Sequence, residues 1–207
     1  MNLKDIDENT IWQKLRAGDP DAIASLLHLY LRPLTYYGMR FSSDRELVKD
    51  SVQELFLILW DRRRNLNVVV NLKSYLFASL RRLVLRKLKS LNKSSTISID
   101  DYQGESFNFE LGIDQKLIAV EQAKQISKHF SKLINSLPTR QREVIYLKFF
   151  VSLSRDEIAS VLEISPQTVS NIIQMAMRKL KEGTPSSIWL SVTVGLFVMA
   201  NFILDKF

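Results

Sequence analysis

The stretch LSRDEIASVLEISPQTVSNIIQMAMRKLK, residues 153–181, decides the fold, because both of its helix starts can be read from the sequence. Ser154 is followed three residues later by Glu157, which is the spacing of a capping box and predicts a short first helix. Ser165 is a good N-cap residue, and Pro166 follows at the first helical position, where proline is best tolerated. Two helices separated by a short turn predict a helix-turn-helix.

The second of these helices has one apolar and one polar face. At about 100° per residue, a narrow stripe is apolar and contains Val169, Ile172, Ile173, Ala176 and Leu180. The opposite face offers amides, a hydroxyl and a guanidinium from Gln167, Ser170, Asn171, Gln174 and Arg178. Such groups read base edges in the major groove of DNA, so the pattern favours DNA binding. An ordinary helical hairpin with a polar outside has the same pattern and stays an alternative at this point.

The composition argues against an enzyme and in favour of a polyanionic partner. The chain has 207 residues and a formal net charge of +7, which suits nucleic acid without proving it. It has no cysteine, and its two histidines, His28 and His129, are far apart in the sequence. No phosphate loop, zinc-binding helix motif or dinucleotide-binding turn is present. We therefore expect no catalytic residue, no cofactor and no metal site. The polar N-terminus carries no secretory signal, which points to the cytoplasm.

The apolar spacing is helical almost throughout, which predicts an all-α protein made of two small helical domains. We expect an N-terminal helical bundle at 1–90 and a C-terminal domain with the helix-turn-helix at 115–183. Residues 91–114 contain Ser, Asn, Gly and several acids, and no base follows Lys93 there, so they predict a flexible acidic linker. Residues 184–207 form an apolar tail.

Two helices of the N-terminal half differ sharply in charge. Residues 71–93 hold seven bases and no acid, with Tyr75 and Phe77 among them. Such a helix can hold a phosphate backbone and stack unpaired bases, but a solvated amphipathic helix has the same composition. In residues 44–60, an apolar face of Val48, Val52, Leu55 and Leu59 lies opposite Asp50, Gln53 and Glu54. An acidic patch on a basic protein suits a protein partner, and an ordinary solvent-exposed face is the alternative.

These segments, in this order, resemble the bacterial sigma-70 superfamily, specifically the small extracytoplasmic-function (ECF) sigma factors. The resemblance runs through DAIASLLHLYLRPL, VKDSVQELFLILW and NLKSYLFASLRRLVLRKLK, and then through the long block at residues 133–181. Two of its motifs are specific: Asp-x-x-Gln-Glu-x-Phe at 50–56, and Leu-Pro-x-Arg-Gln-Arg-Glu-Val at 137–144. The matching segments cover most of the chain.

The resemblance implies a function and a role for each segment. It implies a sigma factor that binds core RNA polymerase and directs promoter-specific initiation, with promoter DNA and an anti-sigma factor as further partners. The helix with Asp50, Gln53, Glu54 and Phe56 is similar to the one that docks on the large subunit of polymerase. Recognition and opening of the −10 element fall to Asn71, Lys73, Tyr75, Arg81, Arg82 and Arg86. Reading of the −35 element falls to Ser165, Gln167, Thr168, Ser170, Asn171, Gln174 and Arg178. The linker is similar to the segment that passes through the interior of the enzyme.

The chain departs from the family pattern at four positions. Arg82 and Arg86 stand where Asn and often Asp are usual, which strengthens backbone contact and leaves the details of base capture in doubt. Glu163 stands where glycine is common in the turn, and a left-handed backbone there would cost roughly 1 kcal/mol. Ile172 replaces a frequent arginine, so base reading must come from its neighbours.

Two other functions stay open on the sequence alone. One is a conventional helix-turn-helix regulator that binds duplex DNA without polymerase, although the motif at 50–60 argues against it. The other is a membrane-tethered interaction protein, because residues 188–204 carry no charge and approach the length of a spanning helix. For the tail we favour a helix that hides its apolar face on the protein or on a partner, with the body of the protein in the cytoplasm.

Overall fold

The computed structural model describes residues 8–66, 71–91, 107–109 and 131–183. All regular secondary structure in these ranges is helical, and the prediction of an all-α fold is confirmed. The chain divides into two compact units, and the first unit contains residues Met1–Ile99 while the second contains most of the remainder. The apolar tail at 184–207 lies outside the described residues, as does most of the predicted linker.

Four helices and one short 3₁₀ turn form the described part of the first unit. They are α1 (Glu8–Ala17), α2 (Pro20–Gly38), α3 (Arg45–Asp61), the 3₁₀ turn (Arg63–Asn65) and α4 (Leu72–Leu91). Side chains before the helices satisfy their free amides: Asp19 Oδ1 accepts from the Asp21 amide at 2.9 Å, and Asp44 Oδ1 accepts from the Glu46 and Leu47 amides. These caps fix where α2 and α3 begin.

The core of the first unit lies between α2, α3 and α4. The predicted apolar face of α3 is buried, because Val48, Val52, Leu55 and Leu59 are each at most 2% exposed. Each such side chain contributes roughly 1.5–3 kcal/mol of transfer free energy when it leaves water. Helix α3 packs on both α2 and α4, and α1 packs on α2. One face of α3 is therefore committed to the core, and the other is left for solvent or a partner.

The second unit carries the helix-turn-helix. Its described helices are α5 (Thr139–Phe149), α6 (Arg155–Leu162) and α7 (Pro166–Glu182), and residues 131–135 are also helical. Helix α7 packs against α5. Of the predicted apolar stripe, Val169, Ile172, Ala176 and Leu180 are buried, and Ile173 is half-buried. The predicted Ile172 core position is thus confirmed, and this residue does not face outward.

Both predicted helix starts are present. In the capping box of α6, the Ser154 amide donates to Glu157 Oε2 at 2.6 Å, and the Glu157 amide donates to Ser154 Oγ at 3.3 Å. At the start of α7, Ser165 Oγ accepts from the Thr168 amide at 3.1 Å, with Pro166 at the first helical position. The bounds of the helix-turn-helix therefore follow from side-chain caps that are visible in the sequence.

Residues 107–109 differ from the prediction of a flexible linker. Phe107 and Phe109 are each 1% exposed, and both contact aromatic rings of the second unit. The acidic composition of residues 91–114 concealed this, because two phenylalanines among polar residues give no helical or strand periodicity. At these three residues the chain is packed against the C-terminal unit.

The turn between α6 and α7 contains a strained residue. Glu163 has φ 56° and ψ 44°, which is the left-handed conformation that favours glycine. We predict that Glu163→Gly raises the free energy of unfolding of the second unit by about 1 kcal/mol relative to Glu163→Ala, because alanine keeps the backbone strain. Both substitutions remove the same carboxylate, so their difference isolates the backbone effect. Urea unfolding of the two variants measures it, and equal midpoints would contradict the prediction.

Candidate functional site

The outer face of α3 carries a continuous stripe of solvent-exposed side chains. Glu46, Asp50, Gln53, Leu57 and Asp61 are exposed and follow one another at spacings of three or four residues, so they lie on one side of the helix. We call these five residues the α3 stripe. Leu57 is 69% exposed, which is unusual for a large apolar side chain at the centre of a charged surface. The stripe therefore offers a protein partner both negative charge and apolar area.

Two of the residues predicted to bind polymerase lie elsewhere. Phe56 is 5% exposed and belongs to the core of the first unit, so the prediction that it offers its ring to a partner is corrected to a packing role. Its place in the Asp-x-x-Gln-Glu-x-Phe motif reflects the helical period: Phe56 follows the buried Val52 by four residues. Glu54 is half-buried and turned toward α4. Asp50 and Gln53 remain on the exposed face.

Glu54 forms two ion pairs with the basic helix α4. Its Oε1 atom lies 2.9 Å from Arg86 Nη2, and its Oε2 atom lies 2.9 Å from Lys87 Nζ. The Glu54 side chain is 34% exposed, whereas that of Arg86 is 65% exposed and still reachable from solvent. Pairs this exposed add little to stability, typically below about 1 kcal/mol. Their main effect is local, because one carboxylate neutralises part of the positive charge of α4.

The outer face of α4 is basic along most of its length. Arg82, Arg86 and Lys89 are exposed, and the partly exposed Tyr75 and Ser79 precede them on the same side at helical spacing. We call these five residues the α4 stripe. Ser79 and Lys89 were not among the predicted −10 residues, although the period of α4 would have found them. The stripe combines three cations with an aromatic ring, which suits a nucleic-acid strand.

Three other predicted −10 residues lie off this stripe. Arg81 is 6% exposed, so the prediction that its guanidinium faces DNA is corrected: it is part of the buried side of α4. Asn71 caps α4, since its Oδ1 atom accepts from the Ser74 amide at 2.7 Å. Lys73 is half-exposed in the first turn. Counting bases along the sequence could not separate Arg81 from Arg82, because only the helical phase of α4 distinguishes the two.

Tyr75 is held in place by an aromatic contact. Its ring lies edge-on to the buried ring of Trp12 in α1, with centroids 5.6 Å apart and planes at 65°. This contact fixes one edge of the tyrosine while leaving the side chain partly exposed. A ring that is already ordered loses little conformational entropy when a base stacks on it.

The outer face of α7 carries most of the predicted −35 residues. Gln167, Asn171, Gln174 and Arg178 are exposed along one side of the helix, and Gln167 Nε2 donates to Asn171 Oδ1 at 3.1 Å. Met175 lies on this face as well and is 42% exposed. It was missed because it is apolar, but a thioether next to amides can contact the methyl group of a thymine.

The hydroxyl groups at the start of α7 have structural partners. Ser165 Oγ caps the helix and lies 2.8 Å from Thr168 Oγ1, while Ser170 Oγ donates to the Pro166 carbonyl at 3.3 Å. A hydroxyl oxygen that donates can still accept, so these groups keep some capacity for a nucleic-acid partner. The direct reading of bases nevertheless falls mainly to the amides of Gln167, Asn171 and Gln174.

Comparison with known families decides the class of the protein. The sigma-70 region 2 model matches residues 26–94, and the model described as sigma-70, region 4, matches residues 129–180. Together these segments cover more than half of the chain. The chain belongs to the sigma-70 family. Its regions 2 and 4 follow each other in the order predicted for an ECF sigma factor, and that prediction is confirmed. As a sigma factor, it directs promoter-specific transcription.

Solved structures show the same fold. The chain is similar to CnrH, solved in complex with the cytosolic domain of CnrY, with a TM-score of 0.57 and 20% identity over 84% of this chain and 95% of that chain. It is also similar to the sigma factor RpoE from Bartonella quintana, solved with the anti-sigma factor NepR, with a TM-score of 0.56 and 21% identity over 77% of this chain and 94% of that chain. No curated protein matches the chain.

Two structural searches bear on the other predictions for this sigma factor. Among the helices of the described residues, none is long and apolar enough to cross a membrane. In the same ranges, no group of histidine, aspartate and glutamate side chains could hold a metal ion. The tail at 184–207 lies outside both searches, so its contact with a membrane or a partner stays a prediction.

The ion pairs of Glu54 predict a measurable effect on DNA binding. Replacing Glu54 by Gln should release Arg86 and Lys87 for phosphate contacts and so steepen the salt dependence of single-stranded DNA binding. Each added phosphate contact changes the log-log slope by about 0.7 for a single strand. Fluorescence anisotropy at several salt concentrations measures the slope.

Asp61→Asn is the matched control, because it changes the net charge equally and its exposed side chain lies on the other side of α3 from Glu54. We expect Asp61→Asn to leave the slope near that of the wild type. Equal slopes for the two variants would show that Glu54 does not restrain the two cations.

Proposed function

We propose that the α3 stripe is the surface by which this sigma factor docks on core RNA polymerase. The observation that supports this most is the conjunction of Asp50, Gln53 and the exposed Leu57 on one side of α3, within the matched region 2. Protein interfaces combine a central apolar contact with a charged rim, and this stripe has that composition. Glu54 acts differently from Asp50: it binds α4 and adjusts the charge of the neighbouring surface.

We further propose that the α4 stripe holds the −10 element and assists its opening. Arg82 and Arg86 supply phosphate contacts, and Tyr75 supplies a ring for an unpaired base. The distribution of charge supports this assignment. The α3 stripe is acidic and would repel DNA, whereas the α4 stripe is basic and would attract it, so the two surfaces of one unit select different partners.

Helix α7 is proposed to read the −35 element in the major groove. Its exposed amides can form bidentate contacts with adenine, and Arg178 near the C-terminal end of α7 supplies a phosphate contact. Arg178 Nε lies 4.0 Å from Glu182 Oε1, a loose exposed pair that a phosphate can replace. The helix N-terminus, capped by Ser165, adds backbone amides that face a phosphate favourably.

We infer that the protein has no catalytic activity of its own and works in the cytoplasm as a regulated initiation factor. The proposed partners are core polymerase, promoter DNA and an anti-sigma factor, since both similar structures were solved with a bound partner and one of these is named an anti-sigma factor. A conventional helix-turn-helix regulator is the alternative, and it would need no polymerase. Promoter-specific run-off transcription by this chain with core polymerase tests the choice. Specific initiation only when both are present supports the sigma factor.

The docking surface can be tested without disturbing the fold. Asp50→Lys and Leu57→Ala, each made alone, should weaken binding to core polymerase at least tenfold, because they remove the charge and the apolar centre of the α3 stripe. Both side chains are exposed, so the melting temperature should stay within about 2 °C of the wild type. Affinity is measured by fluorescence titration of labelled protein with core polymerase.

Glu182→Lys serves as the control for Asp50→Lys, because it gives the same change of net charge at the exposed end of α7. It should bind core polymerase with near wild-type affinity. Full affinity of Asp50→Lys and Leu57→Ala would place the docking surface elsewhere.

Base reading by α7 predicts a loss of discrimination at a few positions. Asn171→Ala or Gln174→Ala should reduce discrimination by roughly 1–3 kcal/mol at one or two base pairs of the −35 element, because a bidentate amide contact is lost. Transcription from a set of single-base promoter variants measures this. Arg178→Ala should instead weaken all promoters to a similar extent. A uniform loss for the two amide variants would mean that they touch only the backbone.

A further inference from the structure

Two phenylalanines of the predicted linker fill an aromatic site on the second unit. The ring of Phe107 lies 5.7 Å from that of Tyr146, and the ring of Phe109 lies 4.9 Å from that of Phe150. Tyr146 and Phe150, one turn apart at the end of α5, stack on each other with centroids 5.5 Å apart and planes at 9°. Both phenylalanines are 1% exposed, whereas Asn108 between them is exposed. This alternation is that of an extended segment with one face buried.

The backbone of the same segment is held by a single amide side chain. The Phe109 amide donates to Asn135 Oδ1 at 2.9 Å, and Asn135 Nδ2 donates to the Phe109 carbonyl at 2.8 Å. A neighbouring β-strand would satisfy one residue in the same way, with one donor and one acceptor. Asn135 thus recognises the extended backbone at Phe109, and the rings of α5 recognise the side chains.

Arg142 fixes the orientation of this amide. Its Nη1 atom donates to Asn135 Oδ1 at 3.3 Å and to the Asn135 carbonyl at 3.4 Å, and its Nη2 atom donates to Thr139 Oγ1 at 2.9 Å. A guanidinium can only donate, so it requires the oxygen of the Asn135 side chain on its side. The nitrogen is then directed to the Phe109 carbonyl. The site is therefore organised before the linker segment enters it.

We propose that Phe107 and Phe109 are a cis anchor that sets the length of the tether between the two DNA-binding units. With the anchor in place, the tether contains residues 92–106, between the end of α4 and the buried ring of Phe107. Such a chain spans at most about 55 Å, at about 3.5 Å per residue. One base pair adds about 3.4 Å of DNA, so the tether limits the number of base pairs between the −10 and −35 elements. This inference rests on the proposed function of α4 and α7.

Releasing the anchor should relax the spacer requirement. The full-length Phe107→Ala/Phe109→Ala variant is compared with the wild type in run-off transcription with core polymerase. The templates carry one promoter, located by start-site mapping, with spacers that differ in steps of one base pair. For the double variant we expect output at spacers two base pairs longer than the optimum to rise at least threefold relative to output at the optimum.

Two further variants make the result interpretable. Asn108→Ala alters the same segment at an exposed side chain and should keep the wild-type spacer profile. Asn135→Ala removes both backbone hydrogen bonds and leaves the aromatic core in place, so it should broaden the profile even if the double variant fails to fold. An unchanged spacer profile for a folded Asn135→Ala variant would overturn the proposal.

A second measurement tests the anchor apart from transcription. In full-length wild-type protein, the Phe109 amide should exchange its hydrogen at least a hundredfold more slowly than in a free peptide, and Asn135→Ala should abolish this protection. Rapid exchange in the wild type would overturn the anchor whatever the protein does at promoters. Protection at Phe109 together with no promoter-specific transcription at any spacer would instead reject the proposed function and keep the anchor as a structural feature.

Discussion

The burial of one face of α3 is the interaction on which the first unit depends. Val48, Val52, Leu55 and Leu59 commit that face to the core between α2 and α4. Because a helix turns by about 100° per residue, this commitment also determines which side chains remain outside. The acidic residues and Leu57 are exposed for the same reason that the valines and leucines are buried. The partner surface is thus a geometric consequence of the core.

The same logic gives α4 and α7 their outer faces, and charge then distinguishes the three surfaces. The α3 stripe is acidic, the α4 stripe is basic, and α7 offers mostly uncharged amides. Long-range attraction to DNA therefore comes from α4, and base discrimination comes from α7. Glu54 joins the first two surfaces, because it belongs to α3 and neutralises part of α4 through Arg86 and Lys87. A partner that draws Glu54 away from α4 would increase the positive charge available to DNA.

Much of this arrangement was predictable from the sequence because it depends on local signals. The capping box at Ser154, the Ser165 cap and the helical period of α7 gave the helix-turn-helix with its buried and exposed faces. Prediction failed where the outcome depends on neighbouring helices. Phe56 belongs to a family motif but packs inside, and Arg81 looks like Arg82 in any count of bases. The ion pairs of Glu54 join residues 32 apart in the chain. The contacts of Phe107 and Phe109 with Asn135, Tyr146 and Phe150 likewise join residues that are distant in sequence.

The most direct test of the account is site-specific photo-crosslinking in the open complex formed by this chain, core polymerase and a promoter. A crosslinking side chain is placed at Leu57 on the α3 stripe or at Arg82 on the α4 stripe, and the attached molecule is identified. The account predicts that position 57 crosslinks to the large subunit of polymerase and position 82 to DNA near the −10 element. Crosslinks from position 57 to DNA, or from position 82 to polymerase alone, would contradict the division of these two surfaces between their partners.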